Sequence, residues 1–127
     1  MKQVLVLGGT GFIGSALINQ LLEQGYKIKA IARHWKKPLE GVECVVGDIF
    51  NENFLIEQLN QIDIVYHLAS TTVPGTSNQS PIYDCETNQL GSLRILQAME
   101  KTSVKQIIYA SSGGAVYGIP KQLPIKE

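Results

Sequence analysis

Short apolar runs alternate along this chain with longer segments whose apolar residues recur at helical spacing. The short runs predict β-strands that are buried on both faces, because apolar side chains occupy adjacent positions within them. The predicted strands cover residues 4–7, 28–32, 44–46, 62–68 and 107–110. Strands that alternate with helical segments indicate an α/β fold.

Three helices are predicted between these strands. The first has an apolar stripe that runs from Ile13 to Leu21, and the second begins after a helix-capping Asn51. The third begins at Ser80, and the polar residues 70–80 before it are predicted to form a loop over the ligand crevice. Right-handed crossovers would place the helices on both faces of the sheet. We therefore expect a doubly wound parallel sheet with strand order 3-2-1-4-5.

Four glycines, at positions 8, 9, 11 and 14, connect the first predicted strand to the first predicted helix, and three of them have the spacing of a dinucleotide-binding turn. Gly8 is suited to a tight turn, Gly11 allows the backbone to approach a diphosphate closely, and Gly14 allows the helix to pack against the strands. The N-terminus of that helix would then face the anion. The spacing predicts a dinucleotide-binding turn; a glycine-rich turn that binds no ligand is the alternative.

The charge composition argues against nucleic acid or a membrane surface as a partner. The chain has 127 residues, and its 11 Lys and Arg residues balance its 11 Asp and Glu residues. Without a basic field, binding to phosphates or anionic lipids gains little from counterion release. No apolar run approaches the roughly 20 residues that span a bilayer. We therefore expect one cytoplasmic domain.

The two cysteines do not indicate a disulfide scaffold or a metal site. Cys44 and Cys85 lie far apart in the chain and lack the spacing of metal ligands. Buried free thiols are the simplest interpretation of both residues.

Five segments, in this order, resemble the motifs of one enzyme family. They are GGTGFIG at residues 8–14, GDI at 47–49, YHLAS at 66–70, NQLGS at 88–92 and SSGGAVYG at 111–118. Over essentially its whole length the chain resembles the extended short-chain dehydrogenase/reductase family, and within it the NAD-dependent epimerases and dehydratases of nucleotide sugars. The resemblance implies that residues 1–127 form the NAD(P)-binding Rossmann domain of such an enzyme. It also implies a fragment that stops before the substrate lobe.

The resemblance further implies roles for residues at the carboxyl ends of the strands. Asp48 would accept a hydrogen bond from the adenine amino group, and Ile49 would offer its backbone to the adenine ring. The backbone of residues 68–70 would pass the cofactor ribose, and Asn88 would steady the active site through hydrogen bonds. A surface turn residue at Asp48 and an exposed helix residue at Asn88 are the alternatives. The implied cofactor contacts are Gly8, Gly11, Phe12, Ile13, Gly14, Arg33, Asp48, Ile49, Leu68, Ala69, Ser70, Asn88 and Ser111.

The residues after the second strand bear on the choice between NAD and NADP. A carboxylate at this position binds the ribose hydroxyls of NAD, whereas this chain has Ala32 followed by Arg33. The guanidinium of Arg33 is suited to pair with a 2′-phosphate and to stack on adenine. We therefore expect NADP. NAD bound without the carboxylate, or a solvated basic loop, are the alternatives.

The general acid/base pair that the resemblance implies is a tyrosine with a lysine four residues later on a helix. Of the five tyrosines, only Tyr117 has a lysine at this spacing, namely Lys121. Gly118 and Pro120 lie between the two and disfavour a continuous helix, so we interpret the match as coincidental. The chain alone is therefore not expected to catalyse the reaction.

The serine motif also departs from the family pattern. Gly113 stands where many epimerases have a catalytic serine or threonine. Ser112, one residue upstream, is the candidate to polarise the substrate hydroxyl, and a residue outside this chain is the alternative. His67 is interpreted as a buried histidine without a catalytic role.

The leading functional hypothesis is the dinucleotide-binding domain of a nucleotide-sugar epimerase or dehydratase that transiently oxidises the sugar at C4. An NADP-dependent reductase of the same superfamily, or a non-catalytic dinucleotide sensor or scaffold, are the alternatives. The expected small-molecule partner of the full enzyme is a nucleotide sugar. Because an incomplete sheet would leave the fifth strand at an open edge, we also expect a homodimer or self-association through that edge.

Overall fold

The computed structural model describes residues 1–71 and 74–126. Its strands are β1 (Gln3–Leu7), β2 (Lys27–Ala32), β3 (Val42–Val46), β4 (Ile64–His67) and β5 (Gln106–Tyr109). Its helices are α1 (Phe12–Glu23), α2 (Glu52–Gln58), α3 (Pro74–Gln79), α4 (Pro81–Asp84), a π-helical segment (Cys85–Leu90), α5 (Gly91–Glu100) and α6 (Gly113–Tyr117). The π-helical segment joins α4 and α5 into one continuous helix, because each of the three begins directly after the one before.

The strands pair in parallel in the order β3-β2-β1-β4-β5, which confirms the predicted topology. The chain moves outward from β1 to β3, and the connection that contains α2 then returns it so that β4 pairs with β1. At the carboxyl edge, Leu7 of β1 lies between Ile31 of β2 and His67 of β4. The connections after β1 and β4 therefore leave in opposite directions, and a crevice opens between them.

Helices cover both faces of the sheet and enclose two apolar clusters. The buried residues on the face covered by α1 are Val4, Val6, Ile18, Leu21, Ile28, Ala30 and Ile64. The buried residues on the face covered by α2 and α5 are Leu5, Leu7, Ile31, Leu55, Leu59, Ile62, Val65, Ile95, Ala98, Met99 and Val104. Successive residues of β1 serve opposite clusters, so this central strand is buried on both faces as predicted. Within the described ranges, no helix is long and apolar enough to cross a membrane.

The prediction that every strand is buried on both faces is wrong for the two edge strands. Residues of β3 are half-buried or exposed, and Val46 is 63% exposed. In β5, Ile108 is 41% exposed and Tyr109 is 57% exposed. Each edge strand pairs with a described strand on one side only, so its apolar side chains are less completely covered than those of the central strands.

A charged residue interrupts the second strand, which was predicted to be apolar. Lys29 is 9% exposed, and its Nζ lies 3.3 Å from Oε1 of Glu43. Glu43 is the register partner of Lys29 on β3 and is itself exposed. The carboxylate at the sheet edge thus neutralises an ammonium group whose aliphatic stem is buried.

Two predicted helix starts are confirmed, and the first of them has a side-chain cap. The backbone N–H of Phe54 donates to Oδ1 of Asn51 at 3.1 Å, so Asn51 caps α2. Ser80 directly precedes α4, with Pro81 in the first helical turn. The predicted loop over residues 70–80 is wrong in part, since α3 occupies Pro74–Gln79; Thr72 and Val73 lie outside the described residues.

The apolar stripe predicted for α1 is rotated from its expected face. Ile13 is 62% exposed, whereas Gly14, Ile18 and Leu21 are buried. Gly14 packs directly against the backbone of Gly8 and Gly9, in the glycine loop (residues 8–11) that precedes the helix. This contact turns the row of residues that continues from Gly14 toward the sheet, since residues four and seven positions later share its face.

We propose that the outer edge of β5 mediates self-association, because no described strand pairs with it there. Light scattering at high protein concentration should then give a mass above that of one chain. Ile108→Lys places a charge on this strand and should return the mass toward the monomer. Val46→Lys, at an exposed position of the opposite edge strand, is the matched control and should keep the higher mass. A monomeric mass for the unmodified chain would contradict the proposal.

Candidate functional site

A cavity of about 480 Å³ opens at the carboxyl edge of the sheet, beside the ends of β1, β2 and β4. The predicted cofactor contacts that line it are Gly8, Gly11, Arg33, Asp48, Ile49, Leu68, Ala69, Ser70 and Asn88. The predicted site residues outside its lining are Phe12, Ile13, Gly14, Ser111 and Ser112. The fold thus gathers residues from five separate stretches of the sequence around one space.

The glycine loop requires glycine at two of its positions. Gly8 has a φ of +88°, and a Cβ built on it would lie 2.9 Å from the backbone N of Ala69. A Cβ on Gly14 would collide with the carbonyl oxygen of Gly8. The backbone N–H of Gly11 donates to that same carbonyl at 3.1 Å and closes the turn. Side chains at Gly8 and Gly14 would therefore displace the loop from β4 and the helix from the loop.

The N-terminus of α1 presents backbone donors beside the cavity. Gly11 is the N-cap residue and provides no side-chain cap. The N–H of Ser15 makes the first helical hydrogen bond, to the Gly11 carbonyl at 2.9 Å, which leaves the preceding amides without a helical partner. The side chains of Phe12 and Ile13 are 94% and 62% exposed. Their side chains therefore point away from the protein, and the groups of these residues that are suited to an anion are their backbone amides.

Asp48 combines a structural bond with a place in the cavity wall. Its Oδ1 accepts a hydrogen bond from the N–H of Phe50 at 2.9 Å, so the carboxylate holds the turn after β3. Among the described residues, none donates to its Oδ2. Ile49 and Phe50 continue the wall, and the guanidinium of Arg94 lies 5.2 Å from the centre of the Phe50 ring. The turn-residue alternative for Asp48 is thus correct for one oxygen, and the other remains open to a ligand.

The end of β2 places a basic side chain at the cavity. Arg33 and His34 are exposed and line it. The ion pairs in the described ranges are Lys29 with Glu43 and Lys101 with Glu52, so Arg33 has no carboxylate partner there. The indole N–H of Trp35 donates to the carbonyl of Val45 at 3.1 Å, which anchors this segment to β3.

Polar side chains join the loop after β4 to the π-helical segment. The backbone N–H of Thr71 donates to Oδ1 of Asn88 at 3.1 Å, and Nδ2 of Asn88 donates to Oδ1 of Asp84 at 2.7 Å. The hydroxyl oxygens of Thr71 and Thr87 lie 2.6 Å apart. Asn88 therefore bonds to two parts of the cavity's surroundings and is not the isolated, exposed helix residue of the alternative.

His67 is buried, as predicted, with 4% of its surface exposed. Its Nε2 lies 2.8 Å from Oγ of Ser92, and its ring meets that of Tyr109 edge to face at 5.2 Å between centroids. Its Nδ1 has no hydrogen-bond partner among the described residues. Burial lowers the pKa of His67 below the usual 6.5, so the ring is neutral at neutral pH.

The serine motif lies outside the cavity. Ser111 and Ser112 are exposed, and Oγ of Ser112 accepts a hydrogen bond from the N–H of Ala115 at 3.3 Å as the cap of α6. That helix ends at Tyr117, and Gly118 follows with a φ of +64°. Tyr117 and a lysine four residues later therefore do not share a helix, as predicted.

Part of the cavity wall was not predicted from the sequence. The additional lining residues are Thr10, Ile31, Ala32, His34, Gly47, Phe50, Thr71, Tyr83 and Thr87. Most of them are neighbours of predicted residues and lie just after the end of a strand. Their position after a strand end could have identified them from the sequence. Tyr83 and Thr87 lack such a signal, because the helix that carries them reaches the cavity through tertiary packing.

The possible metal ligands and the two cysteines bear on the predicted absence of a metal site and of a disulfide. Within the described ranges, no three His, Cys, Asp or Glu side chains are grouped as metal ligands. Cys44 and Cys85 are free thiols, and each is half-buried rather than buried as expected.

Comparison with known proteins identifies the family. The model of the NAD dependent epimerase/dehydratase family matches residues 4–127. The chain belongs to this family. UDP-glucose 4-epimerase of Lactobacillus helveticus is 34% identical over 132 residues, which cover 98% of this chain and 39% of the relative. The family resemblance inferred from the five motifs is thereby confirmed.

Solved epimerase structures share the fold of this family member. UDP-glucose 4-epimerase from Brucella ovis in complex with NAD has a TM-score of 0.91 and 32% identity, covering 100% of this chain and 40% of that one. The Bifidobacterium longum enzyme in complex with NAD+ and UDP has a TM-score of 0.88 and 34% identity, covering 99% and 41%. The Rossmann-type fold is confirmed. The chain spans about 40% of the length of these relatives.

The buried state of His67 predicts a pH-dependent stability. The unfolded ring gains a proton as the pH falls through about 6.5, whereas the folded ring resists protonation until lower pH. The unfolded state then binds more protons, so the free energy of unfolding declines as the pH falls below about 6.5 and through the lower folded pKa. His67→Gln removes this titration, keeps a donor near the Nε2 position, and should flatten the decline.

Urea midpoints measured from about pH 7.5 to about pH 5.5 test this expectation. His34→Gln replaces the other histidine of the chain, which is exposed, and serves as the matched control. Equal slopes for the unmodified chain and His67→Gln would refute the role of the buried ring.

Proposed function

We propose that the cavity binds a nicotinamide adenine dinucleotide, in a protein that epimerises or dehydrates nucleotide sugars. The observation that carries the proposal is the geometry of the glycine loop and the start of α1. Gly8 and Gly14 have no room for a side chain, Gly11 lines the cavity, and the amides that follow Gly11 have no helical partner. Such an arrangement accommodates a diphosphate against bare backbone. The NAD complexes of the Brucella ovis and Bifidobacterium longum relatives support this class of ligand.

The proposed contacts follow the cavity wall from one end to the other. The free Oδ2 of Asp48 would accept from the adenine amino group, and the backbone of Ile49 would meet the ring. The glycine loop, with the backbones of Phe12 and Ile13, would bind the diphosphate. The residues proposed for the ribose end are Leu68, Ala69, Ser70, Asn88 and Ser111.

The bound nicotinamide would supply a hydride acceptor and donor, which is the chemistry that transient oxidation at sugar C4 requires. This chain would hold and orient the dinucleotide and exclude water from the wall formed by β1 and β4. Ser112 is proposed to polarise a substrate hydroxyl, since it lies exposed at the start of α6. No tyrosine and lysine share a helix at four-residue spacing in the described ranges, so we propose that residues 1–127 alone bind the cofactor without turnover.

The basic end of the cavity favours NADP. Arg33 lines the cavity at the end proposed for the ribose of the adenosine half, and the described residues offer it no carboxylate. Its guanidinium is therefore available for bidentate pairing with a 2′-phosphate, and His34 beside it adds a second nitrogen ligand. This feature also favours a second candidate function, an NADP-dependent reductase. A non-catalytic dinucleotide sensor or scaffold is the third hypothesis.

Side-by-side calorimetric titration of the chain with NADPH and NADH tests the function. We expect saturable binding of both, with the tighter constant for NADPH. ADP is the control for the adenosine half. Absence of binding by all three would overturn the proposal.

Arg33→Ala tests the selectivity. Losing a charge-assisted bond to phosphate should weaken NADPH binding about tenfold or more, since such bonds contribute about 1.5–3 kcal/mol. NADH affinity should change far less, because NADH has no 2′-phosphate. Lys37→Ala is the matched control, since Lys37 lies in the same basic segment outside the cavity lining. Equal losses for both dinucleotides in Arg33→Ala would refute the assignment.

A further inference from the structure

A relay of hydrogen bonds runs from β4 to the cavity through the start of α5. The hydroxyl of Ser92 donates to the carbonyl of Asn88 at 2.6 Å. A serine hydroxyl has one proton, so its oxygen acts as the acceptor toward His67, whose Nε2 lies 2.8 Å away. The direction of the relay is therefore fixed from His67 through Ser92 to Asn88, and His67 is the Nε2–H tautomer.

The second ring nitrogen of His67 indicates which interaction the imidazole contributes. Its Nδ1 is buried and has no partner among the described residues, and an unpartnered polar atom in the core is costly. An apolar ring would contact Tyr109 without that cost. The one polar bond that His67 makes in the described ranges is the donation to Ser92, so this bond is what the imidazole adds to the fold.

The relay ends at the residue that shapes the cavity wall. Asn88 lies in the π-helical segment, whose wider turn is not fixed by the standard i to i−4 hydrogen bonds. Its Oδ1 accepts from the N–H of Thr71 at 3.1 Å, and both residues line the cavity. His67 and Ser92 do not line it. Through the relay, these two residues reach the cavity at Asn88.

We propose that His67 and Ser92 are positioning residues that set the π-helical segment so that Asn88 holds the loop after β4 against the ligand. The relay acts on the half of the cavity formed by that loop, and the half formed by Asp48 and Arg33 is independent of it. The ligand side of this inference rests on the proposed function; the structural side does not.

Amide hydrogen exchange at Thr71 tests the structural side in the ligand-free chain. Ser92→Ala breaks both bonds of the relay, so exchange of the Thr71 N–H should accelerate by about tenfold or more. Ser92→Thr keeps a hydroxyl and should retain slow exchange. The amide of Val6 in the central strand is the internal reference and should not change in either variant. Unchanged exchange at Thr71, or equal acceleration at Val6, would overturn the proposal.

Titrations of the same variants with NADPH and ADP test the ligand side. Ser92→Ala should lose about tenfold in NADPH affinity and nothing in ADP affinity, because ADP occupies the half of the cavity that the relay does not reach. Ser92→Thr should restore NADPH binding. An equal loss for both ligands would show a general structural defect and overturn the inference. If the unmodified chain binds neither ligand, the proposed function fails, and the exchange at Thr71 still decides the relay.

Discussion

The contact between the start of α1 and the loop before it constrains most of the site. A Cβ on Gly14 would collide with the carbonyl oxygen of Gly8, so the helix can approach the loop this closely only with glycine at that position. The approach fixes the rotation of α1 and thereby buries Ile18 and Leu21 against the sheet. It also keeps the N-terminus of α1, whose first amides have no helical partner, next to Gly11 in the cavity wall. One steric requirement thus serves both core packing and the proposed diphosphate site.

The same loop connects the two strands that flank the crevice. Gly8 has a positive φ, and a Cβ built on it would lie 2.9 Å from backbone atoms of both Leu68 and Ala69, which directly follow β4. A displacement of the loop would therefore move the wall formed by β4 as well as the diphosphate site. The polar bonds from Thr71 to Asn88 extend this wall to the helix on the other face. The cavity is consequently bounded by backbone on one side and by hydrogen-bonded side chains on the other.

The sequence predicted those features that depend on local pattern. Strand order and the glycine loop followed from periodicity and from residues with special backbone freedom, and the Asn51 cap followed from its position. Features that depend on tertiary partners were missed. The exposure of Ile13 depends on the rotation imposed by Gly14, and the burial of Lys29 depends on a carboxylate of the next strand. The π-helical segment has no recognised sequence signal, so neither its place nor the contacts of Asn88 were predictable in detail.

Different groups in the cavity are expected to determine the affinity for dinucleotides in general and the choice of one dinucleotide over another. The proposed diphosphate contacts are backbone amides at the glycine loop, and these do not distinguish one dinucleotide from another. Discrimination must then come from side chains at the ends of the cavity. Arg33 stands at one end, attached to β3 through Trp35, and Asn88 stands at the other, attached to β4 through Ser92. The two ends are hydrogen-bonded to different strands. A substitution at one end can therefore alter selectivity without disturbing the proposed diphosphate site between them.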